Sequence, residues 1–221
     1  MAKPTVQYFE FRGRAEPIKL ALAAKGVEFE VQSVDYQAMK ADLEKFPFAQ
    51  VPRYQDDEVN MGQSNAIMRH IGRKYDLYGK TRAEAAQIDQ IIDGVEDVRR
   101  KYLALIYQDQ LAPEAKKAYW EQHCDPASAG GRNGGAHWFY LAQLLRRNAG
   151  GEGYFVGTQL SVADVLVFDL VDLHLRVLEE QMRQTYPELV ELWERVGALP
   201  AVKAYLESPL RLPRINNINL G

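Results

Sequence analysis

Tyr8 closes a short apolar run and stands six residues before Arg14, a combination that can activate a thiol. A phenol has an unperturbed pKa near ~10, so at neutral pH its O–H is a donor. A donor aimed at sulfur favours the thiolate and lowers the thiol's pKa, and only the thiolate is a strong nucleophile. In Arg12-Gly13-Arg14 a guanidinium adds positive potential that further favours an anion. Alone, Tyr8 reads more readily as an aromatic packed in a strand, and Arg12 as readily as a solvated loop residue.

Two later segments can hold a small peptide. Gln50-Val51-Pro52 contains an X-Pro bond, where cis peptides usually occur, and a cis turn would expose the Val51 N–H and C=O together. That pair can bind another peptide backbone as a strand would, and glutathione, a tripeptide, is a guest of that kind. Gln63-Ser64-Asn65-Ala66-Ile67 supplies Ser64 as an N-cap, and free N–H groups at a helix start bind a carboxylate. The Gln63 side chain can add donors for a γ-glutamyl end. The bland alternatives are a trans proline opening an edge strand, a structural cap, and, for Asp97, a solvated helix acid.

The elements that must position these groups follow a β-α-β-α-β-β-α order. Residues 4–11 and 27–34 read as strands, the second alternating apolar and polar as a strand with one buried face does. Residues 15–25 form a helix with Pro17 in its first turn and Gly26 as its stop. A short helical or loop segment covers 38–46, strands follow at 52–55 and 58–61, and a helix runs from Ser64 to Tyr75. After a linker at Tyr78-Gly79-Lys80-Thr81 the period becomes helical. Ile88, Ile91, Ile92, Val95, Val98, Tyr102, Leu105 and Ile106 mark one long amphipathic helix. Ser161-Val162-Ala163-Asp164 is a capping-box variant before an apolar helix, and further helices fall at 137–147, 186–197 and 199–207. Residues 125–135 are too glycine-rich for a helix and read as a flexible connection. The fold class is α/β plus all-α, with domains at 1–79 and 80–221.

Composition excludes several functions. The net charge of −3 argues against a general nucleic-acid surface. No run approaches the roughly 18 apolar residues of a membrane span, and the start lacks a signal-peptide layout, so the expectation is a cytoplasmic protein. The single cysteine, Cys124, rules out an intramolecular disulfide and a CxxC site. His123-Cys124 reads as a surface pair rather than a metal site, His70 and His174 as packed or solvated, and no metal is expected.

Tyr-Phe-x-x-Arg-Gly-Arg at 8–14, Gln-Val-Pro at 50–52, Gln-Ser-Asn-Ala-Ile at 63–67, Gly-Val-Glu-Asp at 94–97 and Ser-Val-Ala-Asp at 161–164 occur together in order. In this the whole chain resembles the cytosolic glutathione transferases of the tyrosine type. It is most similar to the pi class, and Arg-Gly-Arg-Ala-Glu is also similar to sigma-class members. The resemblance implies a thioredoxin-like first domain, a helical second domain, a homodimer, and glutathione as co-substrate. It assigns thiolate stabilisation to Tyr8, with Arg14 supporting it, and glutathione binding to Gln50, Val51, Pro52, Gln63 and Ser64. Lys45 is the nearest candidate for the glycyl carboxylate, with Lys40 another, and Asp97 would reach the γ-glutamyl amine bound by the partner subunit. Phe9, Tyr107 and Leu212 would line the pocket for a hydrophobic electrophile, and Phe48 would be the aromatic key of the dimer. Asp109 replaces a second pocket tyrosine, a loop tryptophan is replaced near Gln37, and the 108–137 segment is longer than usual and is expected to cover part of that pocket. Endoperoxide isomerisation and non-catalytic ligand binding are the alternative functions.

Overall fold

A computed structural model describes residues 3–131 and 135–221, so part of the glycine-rich connection expected at 125–135 lies outside the described residues. The chain forms two compact units, Met1–Leu77 with Gly197–Asn219, and Tyr78–Val196 with Leu220–Gly221.

The first unit holds a four-stranded mixed sheet in the order β2-β1-β3-β4. Strand β1 (Thr5–Tyr8) runs parallel to β2 (Glu30–Ser33) and antiparallel to β3 (Arg53–Gln55), with Thr5 opposite Glu30 on one side and Gln55 on the other. Strand β4 (Asn60–Gly62) returns antiparallel to β3. This is the thioredoxin-like arrangement that the family resemblance implies. Helix α1 (Glu16–Ala24) ends where Gly26, at φ +65°, donates to Ala23 O at 2.8 Å and Val27 donates to Leu22 O at 3.0 Å. These paired bonds satisfy carbonyls that the helix end leaves open, and the left-handed position they require suits glycine. Helix α2 (Tyr36–Ala41) is capped by Asp35, and α3 (Ser64–Lys74) packs on α1 with Ile67, Met68 and Ile71 buried.

Strand β2 differs from expectation. All four of its residues are exposed, and Val31 keeps 39% of its surface in solvent. Alternation shows which side chains share a face. It does not show whether another layer reaches an edge strand, and β2 is the sheet's edge.

The second unit is helical: α4 (Arg82–Tyr107), α5 (Pro113–Tyr119), α6 (His137–Arg147), α7 (Val162–Thr185) and α8 (Pro187–Gly197). The α4 stripe from Ile88 to Ile106 is buried as its period predicts, and Arg99 bonds Asp169 of α7 at 2.6 Å inside the core. Ser161 and Asp164 form the capping box of α7. The buried Asp164 carboxylate accepts from Ser161 N at 2.8 Å, Ser161 Oγ at 2.6 Å and Phe155 N at 2.7 Å. Burial nevertheless pushes its pKa up to about 6. His174 is wholly buried, and burial lowers its pKa to about 3. The Leu170 carbonyl, 2.7 Å away, can only accept, so Nδ1 carries the proton and Nε2 accepts from the Tyr119 hydroxyl at 2.7 Å.

Two further readings need correction. Cys124 is buried rather than exposed, on a π-helical turn (Trp120–Cys124) whose last carbonyl accepts from the Tyr186 hydroxyl. The last helix, α9 (Pro200–Leu206), belongs with the first unit. There the Tyr205 hydroxyl and Arg211 bond Glu16 of α1 at 3.0 and 3.3 Å, and Glu16 also pairs with buried Lys19 at 3.0 Å. Helical period alone cannot say which unit a helix returns to, so a single cut near residue 80 misses this.

Candidate active site

Tyr8 is the last residue of β1, and only 8% of its surface is exposed. Its ring lies 5.7 Å from Phe9 and, edge-on, 5.3 Å from Phe11. The chain then folds back so that the Arg14 backbone N–H donates to the phenol oxygen at 3.1 Å. Gly13 makes that approach possible. At φ +43° it sits in the left-handed region, and a Cβ there would stand 2.4 Å from the phenol oxygen and 2.7 Å from Cε1. Gly13 therefore cradles the phenol from the start of the turn that leads into α1. An N–H donated to the oxygen polarises the O–H and makes it a better donor.

Arg12 has a different place from the solvated loop position weighed above. It is 8% exposed, and its Nε donates to Leu212 O at 2.6 Å. Leu212, expected at the electrophile pocket, is half-buried and meets Arg12 through its carbonyl. Phe9, expected in the same pocket, is half-buried and stacks with Phe11 at 5.7 Å.

The peptide-binding candidates gather around another stretch of the first unit. The Val51–Pro52 bond is cis, immediately before β3. Gln63 Nε2 donates to Gln50 Oε1 at 3.1 Å, which brings those two candidates together. A small cleft there is lined by Lys45, Phe46, Phe48, Gln50, Arg53 and Gln63 among others. Of the two candidate lysines, Lys45 lines this cleft with its ammonium 5.5 Å from the Phe46 ring centre, while Lys40 donates to Ala49 O at 3.0 Å.

Ser64 is the first residue of α3 rather than its cap. The cap position falls to Gln63, at φ +68°, whose side chain makes no capping bond. The first turn of α3 carries no acid, and the helix start points its positive end outward, which suits an incoming carboxylate.

Arg53 is a contributor that the sequence reading missed. It is buried after the cis proline and donates to Lys45 O at 3.1 Å, Gln7 Oε1 at 2.6 Å and Gln55 Oε1 at 2.9 Å. It thereby ties the Lys45 loop to β1 and β3. A charged residue directly after Val-Pro, in a strand that must pair on both sides, was the available signal.

Within the helical unit, Asp97 is exposed on α4, and Tyr107, 40% exposed, ends that helix. Phe48 is 65% exposed, unusual for so large an apolar side chain. Among the described residues no three His, Cys, Asp or Glu side chains are grouped to hold a metal, and no helix is long and apolar enough to cross a membrane.

Comparison with known proteins accounts for this arrangement. Residues 4–73 match the family model "Glutathione S-transferase, N-terminal domain", and 96–209 match "Glutathione S-transferase, C-terminal domain". The chain is 36% identical over 220 residues to "Glutathione S-transferase P" of Bos taurus, covering 97% of each chain. It is 36% identical over 207 residues to the protein of that name from Homo sapiens, covering 93% of this chain and 92% of the relative. The solved structure of the pi-class glutathione S-transferase of Onchocerca volvulus superposes with a TM-score of 0.83 at 27% identity, with 100% of both chains covered. The motifs, the mixed sheet followed by helices, and relatives matched over nearly their whole length agree: the chain belongs to the glutathione S-transferase family.

Proposed function

We propose that this chain joins glutathione to small hydrophobic electrophiles and that Tyr8 activates the thiol. The observation that carries the reading is the Tyr8 phenol, which accepts from the Arg14 N–H in a turn where a Cβ at position 13 would crowd the ring. With glutathione bound, the Tyr8 O–H donates to sulfur, favours the thiolate, and releases the thiol proton to solvent. The thiolate attacks an electrophilic carbon. With an aryl halide, a C–S bond forms, the C–halogen bond breaks, and the halide leaves with the electron pair.

Val51 offers its backbone to the cysteinyl residue beside Pro52, while Gln50, Gln63 and Ser64 hold the γ-glutamyl end and Lys45 the glycyl carboxylate. Arg14 adds its guanidinium to the support of the phenol. Phe9, Tyr107 and Leu212 wall the apolar pocket that selects hydrophobic electrophiles. The working form is a homodimer with Phe48 as its key, in which Asp97 reaches the glutathione of the partner subunit. Detoxification in the cytoplasm is the role that fits such chemistry.

The test compares conjugation of glutathione to an aryl halide by the native protein and by Tyr8→Phe, together with the pH midpoint of the bound thiol. Losing a hydrogen bond to a charged group costs about 1.5–3 kcal/mol, so kcat should fall about 10- to 100-fold and the midpoint rise by about 1–2 units. Glutathione affinity should change little. Turnover and midpoint indifferent to the substitution would move activation away from Tyr8.

A further inference from the structure

The turn that holds Tyr8 is itself held by the far end of the chain. Four consecutive carbonyls, Leu212 to Ile215, all accept from Arg12 or Gly13. Arg12 Nε donates to Leu212 O at 2.6 Å, and Arg12 Nη2 donates to Pro213 O at 3.4 Å. Arg12 N donates to Arg214 O and Gly13 N to Ile215 O, both at 2.9 Å. The segment is anchored before this ladder by the Arg211 contact to Glu16, and at its far end by the buried residues Ile215 and Asn216. The next residue along the turn, Arg14, gives its N–H to the Tyr8 oxygen.

We infer that Arg12 is a positioning residue for thiol activation: its guanidinium grips the tail at 212–213 and thereby sets the turn that presents the Arg14 N–H to Tyr8. This rests on Tyr8 being the activating group. Three features support it. Arg12, at 8% exposure, has exchanged water for protein partners, and the Leu212 and Pro213 carbonyls are two of them. Its planar fork can address two neighbouring carbonyls at once, which an ammonium cannot do with the same geometry. A displacement of the turn passes directly to the phenol, because a single backbone N–H separates Gly13 from the Tyr8 contact.

The experiment is a double-substitution cycle with the thiolate midpoint of bound glutathione as readout, supported by kcat, KM and thermal unfolding. Arg12→Met should raise the midpoint by about one pH unit and lower kcat at neutral pH about tenfold, leaving KM for glutathione within about threefold. In a Tyr8→Phe background the same substitution should leave the midpoint where Tyr8→Phe put it, because Arg12 acts through the phenol. If Arg12→Met does not fold, Arg12→Lys keeps the charge without the fork and should shift the midpoint in the same direction.

A midpoint raised by Tyr8→Phe but untouched by either Arg12 variant would overturn the assignment to Arg12 and leave that of Tyr8 standing. An equal shift from Arg12→Met with and without Tyr8 would also overturn it, since the effect would not run through the phenol. A midpoint indifferent to Tyr8→Phe would remove the Tyr8 reading and this inference with it.

Discussion

Gly13→Ala isolates the contact on which the proposed activation of the thiol by Tyr8 depends. The new Cβ would lie 2.4 Å from the Tyr8 oxygen, 2.7 Å from Cε1 and 2.8 Å from Cζ. Unstrained carbon contacts lie at roughly 3.5–4.0 Å, so the ring or the turn must retreat by roughly 1 Å. The Arg14 N–H to phenol bond, 3.1 Å in the native turn, would then exceed hydrogen-bonding range. A misplacement of this size at a reacting group costs about 100-fold in rate. Stability falls as well, by about 1–2 kcal/mol for the left-handed backbone and about 1–3 kcal/mol for overpacking. Gly26→Ala separates these effects, because Gly26 has φ +65° and a methyl group there would meet nothing within 4 Å. It should carry the backbone cost alone and leave conjugation unchanged. The assay is aryl-halide conjugation by both variants and the native protein, with urea unfolding in parallel. If Gly13→Ala turned over like Gly26→Ala at matched folded concentration, the cradle argument would fail.

In the proposed homodimer each subunit would bury one Phe48, worth about 1.5–3 kcal/mol apiece, so Phe48→Ser should raise the dimer dissociation constant about 100- to 10,000-fold in sedimentation equilibrium; an unchanged mass at every dilution would show that Phe48 is no key. In acid, His174 and Asp164 oppose each other. The unfolded chain binds a proton at His174 between pH 6.5 and about 3 that the folded chain refuses, while folded Asp164 takes one between about 6 and 3.8 that the unfolded chain refuses. Asp164→Asn should therefore expose the histidine's loss of about 1.4 kcal/mol per unit from pH 6 to 4, and urea midpoints that run parallel to the native ones would contradict it.

The sequence carried the periodic features well and the folded-back ones poorly. The stripe of α4 and the span of α6 emerged from spacing because each is set by one helix face against one core. The family resemblance assigns Gln50 and Gln63 to one ligand, but their bond to each other was not legible, since the residues are 13 apart in the chain. Ser64 was misplaced by one position because a serine before an apolar run signals a helix start more sharply than it signals a particular cap position. Helix α5 and its π-helical turn escaped notice, because Lys116, Lys117 and Glu121 interrupt any apolar stripe there. The Arg12 contacts span 200 residues and leave no trace in local pattern, since carbonyl acceptors belong to every residue type.

That last contact bears on why such a site is built from both ends of a chain. The backbone bonds within the turn after β1 are short-range, among them Phe11 N to Phe9 O at 2.8 Å, Ala15 N to Arg12 O at 3.2 Å and Glu16 N to Gly13 O. Ordering each residue costs about 1–2 kcal/mol, while a neutral hydrogen bond returns only about 0.5–1.5 kcal/mol. A local loop with a left-handed glycine would therefore sample many shapes, and the Arg14 N–H would meet the phenol in only some of them. The tail's carbonyl ladder removes that freedom without placing a side chain against the phenol. Precision at Tyr8 thus comes from a turn held through the Arg12 guanidinium and the Arg12 and Gly13 amides, and under the proposed mechanism residues beyond α9 belong to the thiol-activating assembly although they carry no chemistry of their own.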